Sequence, residues 1–325
     1  MARDLGPYMG SLIEKHFSGE DKQVRWEDSH VDLSEVMKKR GRLDDPSIYF
    51  SQSIGGHPDY QHLLGTSEIE GGRITTLFAD LKNFSARGMF VDPTSIKRIK
   101  RQVLGTWIDS VRIMGGHVHS IDGDGIMVFF GGRNRNATYA TYEAVAAGVN
   151  VLTLTHEVVN PLLRDRGHDP VELRVGIDHD PNMRWGRVGI PDHYEVKGTG
   201  FGIDFAAKMM QSRRSGFVMV GETLVDLIEI PEQFLEVHTY QRDGKDVKDP
   251  DFERTHQGNT RRYRKWRLDL NRLFREVSGD QLIVDEDDIR HICTGDRIEN
   301  RNVSPALAAA SRTHPQNEEF AQEQA

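Results

Sequence analysis

The sequence of 325 residues predicts an α+β fold. Three observations lead to this prediction. Short β-rich segments alternate with two long segments of helical period, an Asp-Gly turn joins two of the strands, and the unpatterned polar stretches lie toward the two ends of the chain. In chain order the elements are strand, helix, hairpin, helix and strand, which is βαββαβ, the ferredoxin-like arrangement.

The first half of this pattern runs from a strand to a hairpin. Ile74–Ala79 has the β-branched and aromatic content of a strand. Pro93–Met114 predicts a helix, because proline stands at its start, apolar residues recur every three or four positions, and two glycines follow it. His117–Ile121 and Ile126–Phe130 predict two strands around the turn Asp122-Gly123-Asp124-Gly125.

The second half is less regular. It contains a predicted helix over Thr138–Arg166 that is weakest near Pro161, a strand over Val171–Ile177, a glycine-rich irregular section over Trp185–Gly202, a short helix over Ile203–Ser212 and a strand over Phe217–Val220. We interpret residues 1–70 as an N-terminal extension, residues 71–270 as the main domain, and residues 271–325 as a C-terminal extension whose tail after residue 300 is disordered.

Composition excludes several classes of protein. The single cysteine, Cys293, excludes an internal disulfide framework and a cysteine-rich zinc site, and it favours a cytoplasmic protein. No apolar run is long enough for a membrane span, and the N-terminus lacks the apolar core of a signal peptide. The net charge of −8 argues against a protein that coats nucleic acid. We therefore expect no membrane and no nucleic-acid partner.

Two carboxylates stand at strand ends that the predicted topology makes neighbours. Asp80 follows the first strand directly, and Asp124 lies in the hairpin between the next two. Two convergent carboxylates suit a Mg²⁺ site shared with substrate phosphates, because Mg²⁺ keeps few protein ligands. Turn chemistry alone would also explain either residue taken singly.

The sequence around these carboxylates resembles the class III nucleotidyl cyclases. Four motifs carry the resemblance, in the order of that family and over about residues 71–235: Phe78-Ala-Asp-Leu-Lys-Asn-Phe-Ser85, Ile121-Asp-Gly-Asp-Gly-Ile-Met-Val-Phe-Phe-Gly131, Leu173-Arg-Val-Gly-Ile177 with Gly186-Arg-Val-Gly189, and Ile203-Asp-Phe-Ala-Ala-Lys208. Each motif is weak alone, and the set is specific. The resemblance implies that residues 71–270 form a cyclase catalytic domain within the ferredoxin-like class.

This resemblance implies a head-to-tail homodimer with two active sites at its interface. In that arrangement Asp80, Asp124 and the backbone carbonyl of Leu81 would hold two Mg²⁺ or Mn²⁺ ions. The backbone N–H groups of Asn83, Phe84 and Ser85 and the side chain of Arg174 would bind the triphosphate of a nucleoside triphosphate. Arg174 could also be an ordinary exposed strand residue.

Several positions depart from the family pattern. Ser120 stands where adenylate cyclases carry lysine and guanylate cyclases carry glutamate, so the usual rule for purine selection does not apply. Thr199 or Phe201 occupies the other base-selecting position, where aspartate or cysteine is expected. Asp204 and Lys208 replace the asparagine and arginine that act on the transition state, and lysine lacks the bidentate fork of arginine.

These departures resemble the pyrimidine cyclases of bacterial Pycsar anti-phage systems. That resemblance implies a UTP or CTP substrate, a cyclic UMP or cyclic CMP product, and a separate effector that senses the cyclic nucleotide. Within it, we expect conversion of UTP to 3′,5′-cyclic UMP and pyrophosphate. The preference for UTP rests on the resemblance alone. A cytidylate or adenylate cyclase of the same fold is the alternative, since Ser120 or Thr199 offers either hydrogen-bonding role to a base.

Two further features have competing interpretations. Residues 254–275 hold eight Arg and Lys residues against one acid, with three aromatic residues interleaved, which would suit an RNA-binding module built on a degenerate cyclase fold. The simpler interpretation makes Tyr263–Leu268 the last strand of the sheet, with its charges solvated. His117 and His119 alternate on one predicted strand, and we expect both to be surface residues.

Overall fold

The computed structural model describes residues 54–190, 192–211, 214–242, 245–249, 251–277 and 283–295. The prediction of a disordered tail after residue 300, and the first 53 residues of the N-terminal extension, lie outside this range. Within the described residues, no helix has both the length and the apolar composition needed to cross a membrane.

The elements follow the predicted order and continue beyond it. In chain order they are β1 (Glu70–Leu81), α1 (Phe84–Arg87), α2 (Pro93–Ile113), β2 (His117–Asp122), β3 (Gly125–Gly131), α3 (Ala137–Leu154), a π-helical turn (Thr155–Val159), α4 (Asn160–Asp165), β4 (Leu173–Ile190), β5 (His193–Thr199), α5 (Phe201–Met210), β6 (Phe217–Gly221), α6 (Glu222–Ile228), β7 (Leu235–Glu236), β8 (Thr239–Arg242), β9 (Lys245–Lys248), β10 (Phe252–His256), β11 (Asn259–Tyr263), β12 (Lys265–Leu268), α7 (Leu270–Glu276) and α8 (Glu286–Thr294). Two short 3₁₀ turns, Pro58–Leu63 and Glu232–Phe234, complete the set.

One mixed sheet of eight strands organises most of these elements, whereas β8 with β9 and β10 with β11 form two separate two-stranded sheets. Its strand order is β2-β3-β1-β4-β6-β12-β7, and β5 pairs with the outer half of β4. The first four strands are antiparallel in the order 2-3-1-4, which is the ferredoxin-like order, whereas β6 runs parallel to β4. The predicted α+β class and the predicted topology are therefore confirmed.

The two faces of the sheet have different coverings. On one face, alternate strand residues such as Leu77, Val128 and Ile177 pack under α2 and α3 in the main core. On the other face a smaller cluster forms, in which Tyr60 stacks on Trp185 with ring centroids 4.3 Å apart. We call this second side the open face, because α5 and the segment Pro58–Leu63 cover only part of it.

The predicted irregular section over Trp185–Gly202 is wrong. This stretch forms a β-hairpin in which β4 continues to Ile190 and β5 returns alongside it. Its glycines serve close packing: a Cβ on Gly198 would lie 2.7 Å from the sulfur of Met183 and 3.1 Å from the Trp185 ring. A glycine signal therefore marked close approach between side chains and backbone, as happens within strands.

The long predicted helix over Thr138–Arg166 is interrupted once. A π-helical turn over Thr155–Val159 separates α3 from α4, and Pro161 lies in the first turn of α4. Proline removes a helical hydrogen bond and clashes with the preceding turn, so widening the turn before Pro161 lets the chain keep its direction. In the same turn the hydroxyl of Thr155 accepts a hydrogen bond of 2.8 Å from the buried Trp107 indole.

The described part of the C-terminal extension joins the main core. Asn150 on α3 makes two hydrogen bonds with the backbone of Val284, of 2.8 and 2.9 Å. Ile289 and Ile292 on α8 are buried in the same core as α3. Helix α8 begins with a capping box in which Asp285 and Asp288 satisfy each other's backbone N–H groups. The segment 283–295 is thus a packed element of this fold.

Candidate functional site

Asp80 lies near the end of β1, between two partner strands. Its register partners are Gly125 on β3 and Arg174 on β4. A guanidinium nitrogen of Arg174 donates a hydrogen bond to Oδ2 of Asp80, so the two side chains form an ion pair across the strands. Both side chains are about four-fifths buried, with 18% of Asp80 and 22% of Arg174 exposed. This pair therefore lies in a partly desolvated position, where its charges are weakly screened.

Asp124 lies beside Asp80 because of the shape of the β2–β3 turn. Gly123 adopts a φ of 62°, which the tight two-residue turn requires. The backbone N–H of Leu81 donates to the carbonyl of Asp124 at 3.2 Å, which joins the turn to the end of β1. At Gly125 a Cβ would lie 2.7 Å from the carbonyl oxygen of Ala79 and 3.2 Å from Oδ1 of Asp80. The turn therefore approaches Asp80 as closely as glycine allows.

The electrostatics of this pair of carboxylates fit a divalent cation. Burial raises the pKa of Asp80, the hydrogen bond from Arg174 opposes that effect, and the charge of Asp124 raises the pKa further. Within the described residues no group of three or more His, Cys, Asp or Glu side chains is arranged to hold a metal. The groups that could hold a cation here are thus two carboxylates and the neighbouring backbone, and a set of so few protein ligands is typical of Mg²⁺ sites.

The predicted phosphate-binding turn follows β1 directly. Asn83 has a left-handed φ of 56° and precedes the four-residue helix α1, whose first residue Phe84 is buried. Lys82 fixes the start of the turn, since its N–H donates to the Glu172 carbonyl and its Nζ to the Glu172 carboxylate, both at 2.8 Å. Ser85 is exposed. The first N–H groups of a helix have no intrahelical partner, so this turn presents donors next to Asp80.

Asp204 and Lys208 occupy the exposed side of α5. The buried side of this helix packs on β4 at Gly176, where a Cβ would lie 2.3 Å from the Ala206 carbonyl oxygen. Lys208 extends over the ring of Phe205, with its Nζ 4.8 Å from the centroid. In one chain both side chains therefore face solvent.

The three predicted base-selecting residues lie on three different elements. Ser120 is on β2 and donates a hydrogen bond to Asp122 at the end of the same strand. Thr199 ends β5 and is exposed. Phe201 begins α5, is 52% exposed, and contacts the Tyr263 ring edge-on at 5.1 Å between centroids. No hydrogen bond or ring contact that the structure describes joins these three residues to one another.

One buried acidic group was not predicted from the sequence. Asp178 on β4 accepts hydrogen bonds from the Tyr263 hydroxyl at 2.6 Å and from the backbone N–H of His179 at 2.9 Å. Burial raises the pKa of Asp178 to about 7. Since 85 residues separate Asp178 from Tyr263, no local sequence pattern signals this pair. The Tyr263 ring in turn contacts Phe201 and Phe205, so the pair supports the start of α5.

The expectation that His117 and His119 are surface residues is wrong. Both are buried, and both contact the carbonyl oxygen of Gly55, at 2.8 and 3.1 Å. The ring of His57 lies 5.2 Å from that of His117. The segment around Gly55 covers this part of the open face. Because that segment is more than sixty residues from β2 in sequence, the pattern of β2 alone did not indicate that the histidines are buried. Burial lowers the pKa of each of the three histidines.

The basic run over residues 254–275 is largely paired with carboxylates. Its described ion pairs are Arg262 with Asp251, Arg264 with Glu222, Lys265 with Asp249, Arg267 with Glu236 and Arg272 with Asp269. As predicted, residues within Tyr263–Leu268 form a further strand of the sheet, β12. Paired cations release few counterions from a nucleic acid, so this surface does not favour an RNA-binding module.

Comparison with known proteins finds relatives that are named as cyclases. No protein-family model matches the chain. The chain is 26% identical over 219 residues to a cytidylate cyclase of Staphylococcus aureus and 27% identical over 252 residues to a cytidylate cyclase of Escherichia coli. These matches cover 67% and 75% of this chain but 50% and 54% of the two relatives, so the chain spans about half the length of the curated relatives it matches.

A solved structure with the same fold is that of an adenylyl cyclase from P. aeruginosa. Its TM-score is 0.50 at 18% sequence identity, and the match covers 62% of this chain and 95% of that one. The chain therefore has the class III nucleotidyl cyclase fold, and its sequence resembles the pyrimidine cyclases.

Proposed function

We propose that this chain is a pyrimidine nucleotidyl cyclase, a phosphorus–oxygen lyase that forms a 3′,5′-cyclic nucleotide and pyrophosphate from a nucleoside triphosphate. The observation that carries the proposal is the convergence of Asp80, Asp124 and Arg174 at one end of the open face. Two carboxylates beside a largely buried arginine match the needs of a triphosphate bound with divalent cations. The resemblance to proteins named cytidylate cyclase supports the same class of substrate.

The chain's own residues would bind and orient the triphosphate. Arg174 supplies a planar donor pair for phosphate oxygens, and the turn over Asn83, Phe84 and Ser85 supplies backbone N–H groups beside it. Asp80, Asp124 and the Leu81 carbonyl would hold two divalent cations, Mg²⁺ or Mn²⁺, which when bound supply Lewis acidity toward the phosphates and the attacking hydroxyl. Fixing the hydroxyl near the α-phosphorus is the main contribution of the protein.

The proposed reaction balances without a further reactant. The 3′-oxygen forms a bond to the α-phosphorus, the bond from that phosphorus to the bridging oxygen breaks, pyrophosphate leaves, and the hydroxyl proton passes to solvent. Asp204 and Lys208 face solvent on α5, so we propose that a second copy of the chain completes the site, with Lys208 contributing positive charge to the transition state. A head-to-tail homodimer of this kind would hold two active sites.

The proposal also covers the nucleobase of the substrate and the biological role of the cyclic product. UTP is the first candidate, giving cyclic UMP, on the resemblance of the departures at Ser120, Thr199, Phe201, Asp204 and Lys208 to pyrimidine cyclases. CTP is the second candidate, because the relatives at 26–27% identity are named cytidylate cyclases. The proposed role is signalling in anti-phage defence, with the cyclic product acting on a separate effector.

The test is direct. The purified chain is incubated separately with UTP, CTP, ATP and GTP in the presence of Mg²⁺ or Mn²⁺, and the products are resolved by mass. We expect a cyclic pyrimidine nucleotide and pyrophosphate in equal amounts, formed about 10²-fold or more slowly by an Asp80→Asn variant. Cyclic AMP as the only product would contradict the pyrimidine assignment. Absence of any cyclic nucleotide under all eight conditions would contradict the cyclase assignment.

A further inference from the structure

A second candidate site lies at the other end of the sheet. A cavity of about 360 Å³ opens where β1 begins, and four arginines line it: Arg73, Arg133, Arg135 and Arg184. The remaining lining residues are glycines, a proline and an asparagine, so no carboxylate lines the cavity. The full chain, by contrast, carries a net charge of −8. The cavity is therefore a local concentration of positive charge on an acidic protein.

Two of these arginines are neutralised and two are not. Arg133 forms an ion pair with Glu70, and Arg135 forms one with the buried Glu143. In the described part of the chain, the side chains of Arg73 and Arg184 form neither an ion pair nor a hydrogen bond, although the backbone of Arg184 is paired within the sheet. Two guanidinium groups with unused donors thus face one cavity. Arginine suits phosphate because its fork can donate two parallel hydrogen bonds to one phosphate group.

The backbone around the cavity also leaves room for side chains and a ligand to lie close to it. The register between β1 and β4 shifts between Gly72 and Ile74, so the regular ladder is broken at Arg73. A bulge of this kind leaves backbone groups unpaired and redirects a side chain. At Gly71 a Cβ would lie 2.9 Å from Nη1 of Arg184, so the glycine gives the guanidinium room to lie across the strand. The arginines and the open backbone therefore meet at the same place.

We propose that this cavity binds a phosphorylated small molecule, at a site separate from the proposed catalytic centre. Gly72 and Asp80 are eight residues apart on β1, which corresponds to about 26 Å along a strand. One bound substrate would not span that distance together with its cation site. The cavity volume of about 360 Å³ is at the small end of ligand pockets and suits a ligand of mononucleotide size. A ligand bound in this cavity would therefore occupy a position separate from that of the substrate.

The experiment measures binding rather than catalysis. Pyrophosphate, inorganic phosphate and UMP are titrated into the full chain by calorimetry, with a chelator present so that no divalent cation is bound. An Arg174→Ala background removes the candidate catalytic arginine, so the remaining binding reports the second site. We expect one pyrophosphate per chain in this background. Adding Arg73→Ala and Arg184→Ala should weaken the binding about tenfold or more, since charge-assisted contacts to both arginines are lost.

Matched variants make the result specific. Lys97→Ala with Arg98→Ala removes two exposed cations on α2 that lie outside the cavity, and it should leave pyrophosphate affinity unchanged. An equal loss in both double variants would show that affinity follows total charge and would overturn the proposal. So would the lack of any binding below about 10 mM in the unaltered chain. Arg184→Lys, which keeps the charge, should lose less affinity than Arg184→Ala.

Two other outcomes bear on the ligand class and on the fold. If single-stranded RNA displaces pyrophosphate and binds more tightly through Arg73 and Arg184, the assignment to a small phosphorylated ligand is wrong. Arg73 and Arg184 are exposed, so the variants should retain the melting temperature of the unaltered chain in the absence of ligand. Because the measurement uses no turnover, its result is independent of whether the chain is a cyclase.

Discussion

Asp80 and Arg174 are register partners on β1 and β4, and their side chains form an ion pair at the candidate site. The arginine thus holds a carboxylate that the proposed function assigns to a cation. A bound triphosphate with its cations would offer new partners to both side chains: phosphate oxygens for Arg174 and positive charge for Asp80. The proposed reaction therefore requires an exchange of partners within this pair.

The carboxylates give the first prediction. Asp80→Asn and Asp124→Asn should each lower the cyclase rate by about 10²-fold or more, because the neutral amide cannot balance the cations that the triphosphate needs. Product formation is measured by mass. Asp122→Asn in the same turn is the matched control and should retain activity, as Asp122 is exposed. A fully active Asp80 or Asp124 variant would refute the assignment of these residues to the cation site.

Arg174 gives the second prediction. Arg174→Lys keeps the charge beside Asp80 but loses the planar pair of donors, so we expect KM for the triphosphate to rise about tenfold while the fold is retained. Arg174→Gln should lose more, since it also leaves Asp80 without its counter-charge. Steady-state kinetics of both variants check this order. If the Arg174→Lys variant had the same kinetics as the unaltered chain, Arg174 would act only through its charge, and the assigned role of its paired donors would be wrong.

Gly125 gives the third prediction. In Gly125→Ala the new methyl group would lie 2.7 Å from the Ala79 carbonyl oxygen, so the turn that carries Asp124 must move away from β1. We expect kcat to fall at least tenfold with a modest loss of melting temperature. Gly123→Asn is the control: its surroundings are open and asparagine tolerates its φ of 62°. Similar losses in both variants would indicate a general effect on the hairpin instead.

Asp178 gives the fourth prediction, which concerns pH. Burial raises its pKa to about 7 in the folded chain, whereas an unfolded aspartate loses its proton near pH 4. Between these values the folded state binds the extra proton, so the contribution of this group to the free energy of unfolding decreases as pH rises from about 4 to about 7. Asp178→Asn cannot ionise and should lack this decrease.

Urea unfolding at about pH 5 and about pH 8 tests that prediction. The stability of the unaltered chain relative to Asp178→Asn should be higher at the lower pH, by up to about 1.4 kcal/mol per unit of pH crossed. Taking the difference between the two proteins removes the contribution of the buried histidines, which titrate in both. The same difference at both pH values would contradict a raised pKa for Asp178.

Local patterns predicted the fold well. The strand, helix and hairpin signals around Ile74–Ala79 and Asp122–Gly125 lie within single elements, so short-range rules suffice for them. The meeting of Asp80 with Asp124 also followed, because βαββαβ topology makes their strands neighbours. The assignments of catalytic and base-selecting roles stay predictions, since they concern contacts with a substrate and a second chain.

Long-range packing was the part that the sequence did not reveal. His117 and His119 looked like surface residues because their covering, the carbonyl of Gly55, comes from a segment more than sixty residues away. The Asp178–Tyr263 contact joins β4 to β11 in the same way. At Gly198 and Gly189 the glycine signal indicated a loop, whereas the structure uses these glycines inside a hairpin. A distant neighbour therefore decided the environment of His117, His119 and Asp178, whereas the glycines were misinterpreted within a single hairpin.

The stacking of Tyr60 on Trp185 bears on where an independently folding unit begins. The predicted domain starts at residue 71, yet Tyr60 and Leu63 are almost completely buried against the open face. A shortened protein beginning at β1 would present the rings of Trp185 and Phe129 to water, and exposed aromatic surface of this kind promotes self-association. A fusion protein that joins this sheet to another domain at its N-terminal side would therefore need to keep the residues from Gly55 onward together with the sheet.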